Sequence, residues 1–259
     1  MNVAVVVQAR SGSSRLPNKV LAEVAGAPVL VRMLERVLAA TTPSTVVLAT
    51  TTDPSDDLIV GLGARAGVRV ERGHPLDLLD RHVQAARAVG ADAVVKIPSD
   101  CPLIDPGVID HVIGAFLAEP GRYDFVSNLH PATWPDGNDV EVMTMAALET
   151  AHREATRPLE REHTTPFLWD NPERFRCHNV AWETGLDFSK SHRLVLDYAE
   201  DLALIRSVYD ALWSPTRHFT LGDILQLLEA RPELRALNAA HLDYTWYRNH
   251  PGELRTISQ

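Results

Sequence analysis

Gln8-Ala9-Arg10-Ser11-Gly12-Ser13-Ser14-Arg15-Leu16-Pro17-Asn18-Lys19 follows directly on Val3-Ala4-Val5-Val6-Val7. The β-branched run reads as a first strand buried on both faces. The segment after it combines small residues with the cations Arg10, Arg15 and Lys19. Gly12 and the serines let backbone N–H groups and hydroxyls approach an anion closely. Arg and Lys add fixed positive charge suited to phosphate. A Gly/Ser loop leaving the first strand is where α/β proteins seat nucleotide phosphates. The strings G-x-x-x-x-G-K-[ST] and G-x-G-x-x-G are both absent, so this is neither a P-loop nor a dinucleotide fingerprint. Taken alone, the stretch reads equally well as a basic surface turn.

Moving outward, the pattern alternates. Leu30, Met33, Leu34, Val37 and Leu38 form one helical stripe within 29–40. A second buried strand covers 45–50, a loop whose end caps a helix covers 51–57, that helix covers 56–66, and a third short strand covers 68–72. Strand, helix, strand at this pace predicts a mostly parallel sheet. Ligands of such sheets bind at the carboxyl ends of the strands, so the loops at 8–19, 51–57, 72–81 and 98–105 are expected to face one crevice. Ala93-Val94-Val95-Lys96-Ile97 is a further strand that delivers Asp100 to that crevice. A carboxylate there suits Mg²⁺, which takes one or two protein carboxylates plus substrate phosphates. Asp105 before Pro106 reads as a cap for a helix over 107–117. A strand over 123–128 leads to a polar, mobile loop to 139 and a strand over 140–143. Asp139 and Glu141 then point to one face, where they suit sugar hydroxyls or an amino group, or guard an exposed edge. A helix over 145–155 and an irregular stretch over 172–190 follow. A strand ends at Asp197, and a helix runs to Leu212 with Glu200 and Asp201 in its first turn. An amphipathic helical tail over 220–240 breaks at Pro232, and the aromatic stretch 244–250 has no assignable chemistry.

Composition narrows the class. With 259 residues, 45% hydrophobic and 23% charged, the chain is ordinary globular protein, enough for one large domain or two small ones. A net charge of −9 argues against nucleic acid as partner but permits a local basic nucleotide pocket. Cys101 and Cys177 form no C-x-x-C and no disulfide framework, which suggests a reduced, cytoplasmic setting. The N-terminal apolar run stops at Gln8 and reads as a strand rather than a signal peptide, and no run of about 18 apolar residues predicts a membrane span. The histidines show no zinc-ligand spacing.

Gln8-Ala9-Arg10-x-Gly12-Ser13-x-Arg15-Leu16-Pro17-x-Lys19-x-Leu21 resembles the signature of sugar-acid cytidylyltransferases. The resemblance is greatest to the spore-coat polysaccharide SpsF-like branch, related to the acylneuraminate and KDO cytidylyltransferases. Further segments are similar in the same order: Arg72-Gly73 with Leu79-Asp80-Arg81, Ser99-Asp100-Cys101-Pro102-Leu103-Ile104-Asp105-Pro106, Trp134-Pro135-Asp136-Gly137-Asn138-Asp139-Val140-Glu141-Val142, Arg161-Glu162-His163, and Arg193 to Leu202. The departures are Lys96-Ile97-Pro98-Ser99 where the family usually has Arg-Ile-Thr-Gly, and Ala199 in place of a proline. The resemblance implies a three-layer α/β/α fold with a mostly parallel, Rossmann-like sheet of the nucleotide-diphospho-sugar transferase (GT-A) type. Residues 1–213 would be the nucleotidyltransferase domain, and 214–259 a helical extension packing on it. It further implies that Ala9, Arg10, Ser11, Gly12, Ser13, Arg15 and Lys19 surround the CTP phosphates. Arg72, Asp80 and Arg81 would lie near base or phosphates, and Asp100 and Asp197 would hold Mg²⁺. Asp139 and Glu141 would belong to the acceptor pocket. Arg161, Glu162 and His163 would serve either that pocket or a homodimer interface.

The expected activity is Mg²⁺-dependent transfer of CMP from CTP to a small acidic sugar acceptor with release of pyrophosphate, for surface polysaccharide or glycan precursor synthesis. Arg15, Lys19, Asp100 and Asp197 are the expected catalytic group, and no histidine base is needed. Two alternatives stay open. One is a glycosyltransferase using a nucleotide-sugar, since the same fold serves both. The other is a non-catalytic nucleotide-binding protein. The basic loop argues against the first, and the paired aspartates argue against the second.

Overall fold

The structure, a computed structural model, describes residues 1–242 and 252–256; the aromatic stretch 244–250 lies outside them. Strand β1 (Val3–Gln8) is followed by a small hairpin, β2 (Glu23–Val24) with β3 (Ala27–Pro28), and by helix α1 (Val29–Leu38). β4 (Thr45–Thr51), α2 (Asp57–Arg65), β5 (Arg69–Gly73), α3 (Leu78–Ala88) and β6 (Ala93–Pro98) continue the alternation, and α4 (Pro106–Leu117) closes it. Next come β7 (Phe125–Ser127), β8 (Glu141–Thr144), α5 (Met145–Glu154), α6 (Pro158–His163), α7 (Pro166–Trp169) and β9 (Cys177–Asn179). The chain then forms α8 (Ala199–Leu212), α9 (Leu221–Ala230) and α10 (Pro232–Ala236).

Among the described residues, seven strands form one sheet in the order β5-β4-β1-β6-β8-β7-β9. β5, β4, β1 and β6 pair in parallel, as do β7 and β9, while β8 runs antiparallel to both its neighbours. Because side chains alternate along a strand, β1 feeds two cores. Val3, Val5 and Val7 join α1, α4, α8 and α9 on one face, and Ala4 and Val6 join α3, α5 and α7 on the other. That double burial explains the unbroken apolar run, each Val fully buried there contributing about 1.5–3 kcal/mol. Leu221, Ile224, Leu228 and Leu234 of the tail helices belong to the first of these cores.

Caps follow the side chains read from the sequence. Asp105 Oδ1 accepts from Gly107 N at 2.6 Å and starts α4. Asp201 accepts from Asp197 N and Tyr198 N, both at 2.9 Å, and starts α8. Three expectations need correction. The stretch 172–190 is not wholly irregular, because β9 adds an edge strand beside β7. Residues 192–197 form no sheet strand; their extended backbone makes a single bridge, Asp136 to Arg193. The segment 128–139 is no free loop, since Asn128, Trp134 and Asn138 are buried and bonded, as described next.

Candidate active site

A crevice of about 520 Å³ opens at the carboxyl ends of β1 and β6. The chain crosses from β1 outward to β4 on one side and to β6 on the other, so the crevice lies where the strand order reverses. The expected crevice loops contribute unequally. Residues of 8–19, 75–81 and 96–100 line it, whereas 51–57 stand behind.

The basic loop forms one wall. Asp56 holds its root: one carboxylate oxygen accepts from Ser11 N at 2.7 Å and the other from the Thr51 hydroxyl. Ser11 O accepts from Asn18 N at 3.1 Å and closes the turn. Gly12, Ser13, Ser14, Arg15 and Lys19 therefore face the crevice, and a Cβ built on Gly12 would meet no protein atom within 4 Å. Arg10 and Arg81 stand alongside. Arg10 reaches Pro75 O at 3.5 Å, and Arg81 donates to His74 O and Pro75 O at 3.2 and 3.3 Å. Neither guanidinium has a carboxylate partner among the described residues, and buried Arg81 Nε has no acceptor. Burial, reinforced by Arg10, lowers the Arg81 pKa to about 10.

Asp100 follows β6, and Asp197 ends the extended segment. Leu196 N donates to Asp100 O at 2.7 Å, which brings the two aspartates together. Lys19 Nζ lies between them, 2.9 Å from Asp197 Oδ1 and 3.4 Å from Asp100 Oδ2, and donates to Leu196 O at 2.6 Å. Arg15 Nη2 lies 2.7 Å from the same Asp197 oxygen. Burial pulls the Lys19 pKa down, but Asp100 and Asp197 outweigh it and the net shift is upward. Burial raises Asp197, yet Lys19 and Arg15 bring it down to about 2, so it is a carboxylate at neutral pH. Among the described residues no three His, Cys, Asp or Glu side chains converge to hold a metal unaided. Two neighbouring carboxylates beside a basic Gly/Ser loop fit a hard divalent cation whose remaining ligands would be phosphate oxygens and water.

The opposite wall is built by 128–141. Asn128 staples it, accepting from Val140 N at 3.0 Å and donating to Asn138 O at 2.7 Å. Asn138 accepts from Asp105 N at 3.0 Å, and Trp134 Nε1 donates to Val180 O at 2.9 Å. Asp136 N donates to His192 O at 3.0 Å and Asp136 O accepts from Leu194 N at 2.7 Å, which straps 192–197 alongside. Arg193, 2% exposed, threads the carboxylates together. It bonds Asp201 at 2.9 and 3.1 Å, Asp197 at 3.3 Å and Asp136 at 3.4 Å. Lys96 on β6 and Glu141 on β8 are register partners and form a buried ion pair, and the Thr165 hydroxyl donates to Glu141 at 2.7 Å. Among the described residues Asp139 accepts from Gly137 N at 3.3 Å. Burial, then Asp100 and Glu141, push Asp139 up to about 7; burial and Asp139 push Asp136 well above the usual carboxylate range against Arg193.

Of the residues singled out from the sequence, Ala9, Arg10, Gly12, Ser13, Arg15, Lys19, Arg81, Asp100, Asp139, Glu141, Glu162, His163 and Asp197 line the crevice. Four do not. The Ser11 hydroxyl bonds the Ser55 hydroxyl at 3.1 Å. Arg72 sits on edge strand β5 and turns to Thr51 O, Asp53 O and Asp57 at 2.7–2.9 Å. Asp80 pairs with His152 at 2.9 Å. Arg161 binds Asp77 at 2.8 Å and His152 O at 2.8 Å. The sequence reading passed over Gln8, Asp56, Lys96, Asp136 and Arg193. Gln8, Lys96, Asp136 and Arg193 lay inside quoted segments without a role being drawn from them; the pairings of Asp56 with Ser11, Lys96 with Glu141 and Arg193 with Asp136 join residues far apart in the chain and carry no local signal.

Residues 4–218 match the model of a protein family described as cytidylyltransferase. The solved structure of a cytidylyltransferase from Leptospira borgpetersenii serovar Hardjo-bovis superposes with a TM-score of 0.86 at 32% identity, covering 95% of this chain and 99% of that one. The spore coat polysaccharide biosynthesis protein SpsF of Bacillus subtilis is 26% identical over 90% of this chain and 96% of its own length. The 3-deoxy-manno-octulosonate cytidylyltransferase of Trichlorobacter lovleyi is 35% identical over 47% of each chain.

Proposed function

Since the chain belongs to the cytidylyltransferase family and is a nucleotidyltransferase, we propose that its reaction is Mg²⁺-dependent transfer of CMP from CTP to the hydroxyl of a sugar acid, with pyrophosphate released. The observation that carries this reading is Lys19, which bridges Asp100 and Asp197 at the root of a loop whose other cations face open crevice. Related proteins named for surface-sugar chemistry support a role in polysaccharide or glycan precursor synthesis.

The roles follow from charge and position. Arg10, Arg15, Lys19 and Arg81 neutralise the triphosphate and hold it in line, which is where most acceleration of phosphoryl transfer arises. Gly12 and Ser13 offer backbone and hydroxyl donors to phosphate oxygens. Asp100 and Asp197 would hold Mg²⁺, which supplies Lewis-acid polarisation of the phosphate. Lys19 keeps the two aspartates close until substrate arrives, then serves the leaving pyrophosphate. Asp139, Glu141, Glu162 and His163 line the acceptor side.

The test is pyrophosphate release with each of the four nucleoside triphosphates and a panel of sugar acids. Release with CTP, lost by at least about 10³-fold in Asp100→Asn and Asp197→Asn, is the expected result. Normal turnover by both variants would remove the metal assignment. Stabilisation by a nucleotide-sugar but not by CTP would replace the reading with glycosyl transfer.

A further inference from the structure

The Lys19 ammonium is held by three oxygens from two separate segments. Nζ lies 2.9 Å from Asp197 Oδ1, 3.4 Å from Asp100 Oδ2 and 2.6 Å from Leu196 O. The side chain is 12% exposed, so the ammonium has exchanged most of its water for these oxygens. Two carboxylates and a backbone carbonyl are also donors that a hard divalent cation takes. Arg15 bonds the same Asp197 oxygen at 2.7 Å, but from a more open position, 37% exposed. It touches Asp197 from the side, whereas Lys19 lies between the two aspartates.

The charges balance only for a joint arrival. Lys19 and Arg15 already match Asp100 and Asp197, and Arg193 is matched at closest range by Asp201. A divalent cation entering alone adds positive charge to a crevice where Arg10 and Arg81 bond only backbone carbonyls among the described residues. A triphosphate entering alone brings more negative charge than those two arginines offset. A triphosphate carrying a divalent cation is a net dianion, which Arg10 and Arg81 balance. From the position of Lys19 we infer that its ammonium stands in for the divalent cation until a triphosphate draws it away, so that metal and nucleotide enter together and the metal alone is excluded. A compact charge on a flexible four-carbon stem makes that exchange by side-chain rotation. The inference rests on the cytidylyl-transfer reading and adds the order in which its site assembles.

The experiment titrates Mn²⁺ alone into the full chain and reads the loss of its free paramagnetic signal, with melting curves to confirm folding. Lys19→Met is expected to bind Mn²⁺ about tenfold or more tightly than the parent, and Lys19→Gln, a second neutral variant, should do the same. Lys19→Arg, which keeps the charge, and Arg15→Met, which leaves Lys19 between the aspartates, should stay within about threefold of the parent. Adding Asp100→Asn to Lys19→Met should remove the gain. Equal affinity in the parent and both neutral variants overturns the inference. So does an equal gain in Arg15→Met, which would make the effect one of overall field, and so does a gain that survives Asp100→Asn. In a second arm, a saturating non-hydrolysable CTP analogue should tighten Mn²⁺ binding, corrected for the analogue's own affinity, about tenfold more in the parent than in Lys19→Met. Equal tightening in both also overturns the inference. Failure of the analogue to bind the parent overturns the cytidylyl-transfer reading instead, because the comparison with Mn²⁺ alone needs no nucleotide.

Discussion

His82 is fully buried on α3, and His130 stands, mostly withdrawn from solvent, in the crevice wall. His82 Nδ1–H donates to Leu78 O at 2.9 Å, and His130 stacks on Trp169 at 4.2 Å between centroids. Burial lowers His82 to about 3 and His130 to about 4, the latter against the pull of Glu141. Unfolded histidines titrate near 6.5. Between about pH 4 and 6.5 the unfolded chain therefore holds more protons on these two residues, and stability falls as pH drops. Each contributes up to about 1.4 kcal/mol per pH unit in that window. Asp139 acts oppositely. Its folded pKa of about 7 lies above the unfolded value, so the folded chain holds the extra proton between about pH 4 and 7, and acidification there adds stability. The measured curve is the difference of these effects. Asp136, also pushed up, acts with Asp139, so the test is relative to the parent: the urea midpoint at pH 5 less that at pH 7 should rise in His82→Gln and fall in Asp139→Asn. Curves parallel to the parent in both variants would contradict these assignments.

Gly137 decides how the wall built by 128–141 meets the 192–197 segment. Its φ is 104°, and a Cβ would lie 2.7 Å from Leu194 C and 2.8 Å from Leu194 O. Alanine there must push the two backbones apart and break the Asp136–Leu194 hydrogen bond. Gly137→Ala is expected to cost about 2 kcal/mol or more, a Tm drop on the order of 5 °C. Because this element carries Asp136 and Asp139, acceptor KM should rise more than CTP KM; equal rises would place the damage in the basic loop instead. The same element shows where sequence reading succeeds and stops. Strands β1, β4 and β6 were legible because burial on both faces leaves an unbroken apolar run, and Asp100 because a parallel strand points its end at the ligand. The order of residues 134–142 exposed Asp139 and Glu141 as neighbours on one side. It could not show that Glu141 is consumed by Lys96, since that pairing depends on β6–β8 register, 45 residues apart. Nor could it show that Arg72 turns outward, because an edge strand and a central strand look alike in so short a run. The 192–197 segment read as a strand for a related reason: it is buried and extended, but its hydrogen bonds go to loops.

Over the whole molecule, the segment after α10 reaches the site through Asn238. Asn238, 1% exposed, donates from Nδ2 to Arg193 O at 3.0 Å and to Asp201 Oδ1 at 2.8 Å. Arg193 in turn fixes Asp197 and Asp136, so the packing of α9 and α10 on the first core is connected to both walls of the crevice. Asn238→Ala removes both N–H donors and leaves buried Arg193 O without this bond, at about 1–3 kcal/mol, while Asp201 Oδ1 keeps only Arg193 among the described residues. The loss should extend to function: Arg193 regains freedom, Asp197 is held less tightly beside Lys19, and CTP-dependent pyrophosphate release should fall severalfold although Asn238 does not line the crevice. Leu228→Ala separates this effect from general weakening. Leu228 is 3% exposed in the same core and touches none of these carboxylates, so its truncation should cost about 2–5 kcal/mol while leaving turnover of the folded protein near the parent value. If the two variants lose stability alike and both keep full turnover at a temperature where they are folded, the tail supports the fold alone. If only Asn238→Ala loses turnover, the tail positions Asp197, and a nucleotidyltransferase cut after residue 213 should not be expected to work.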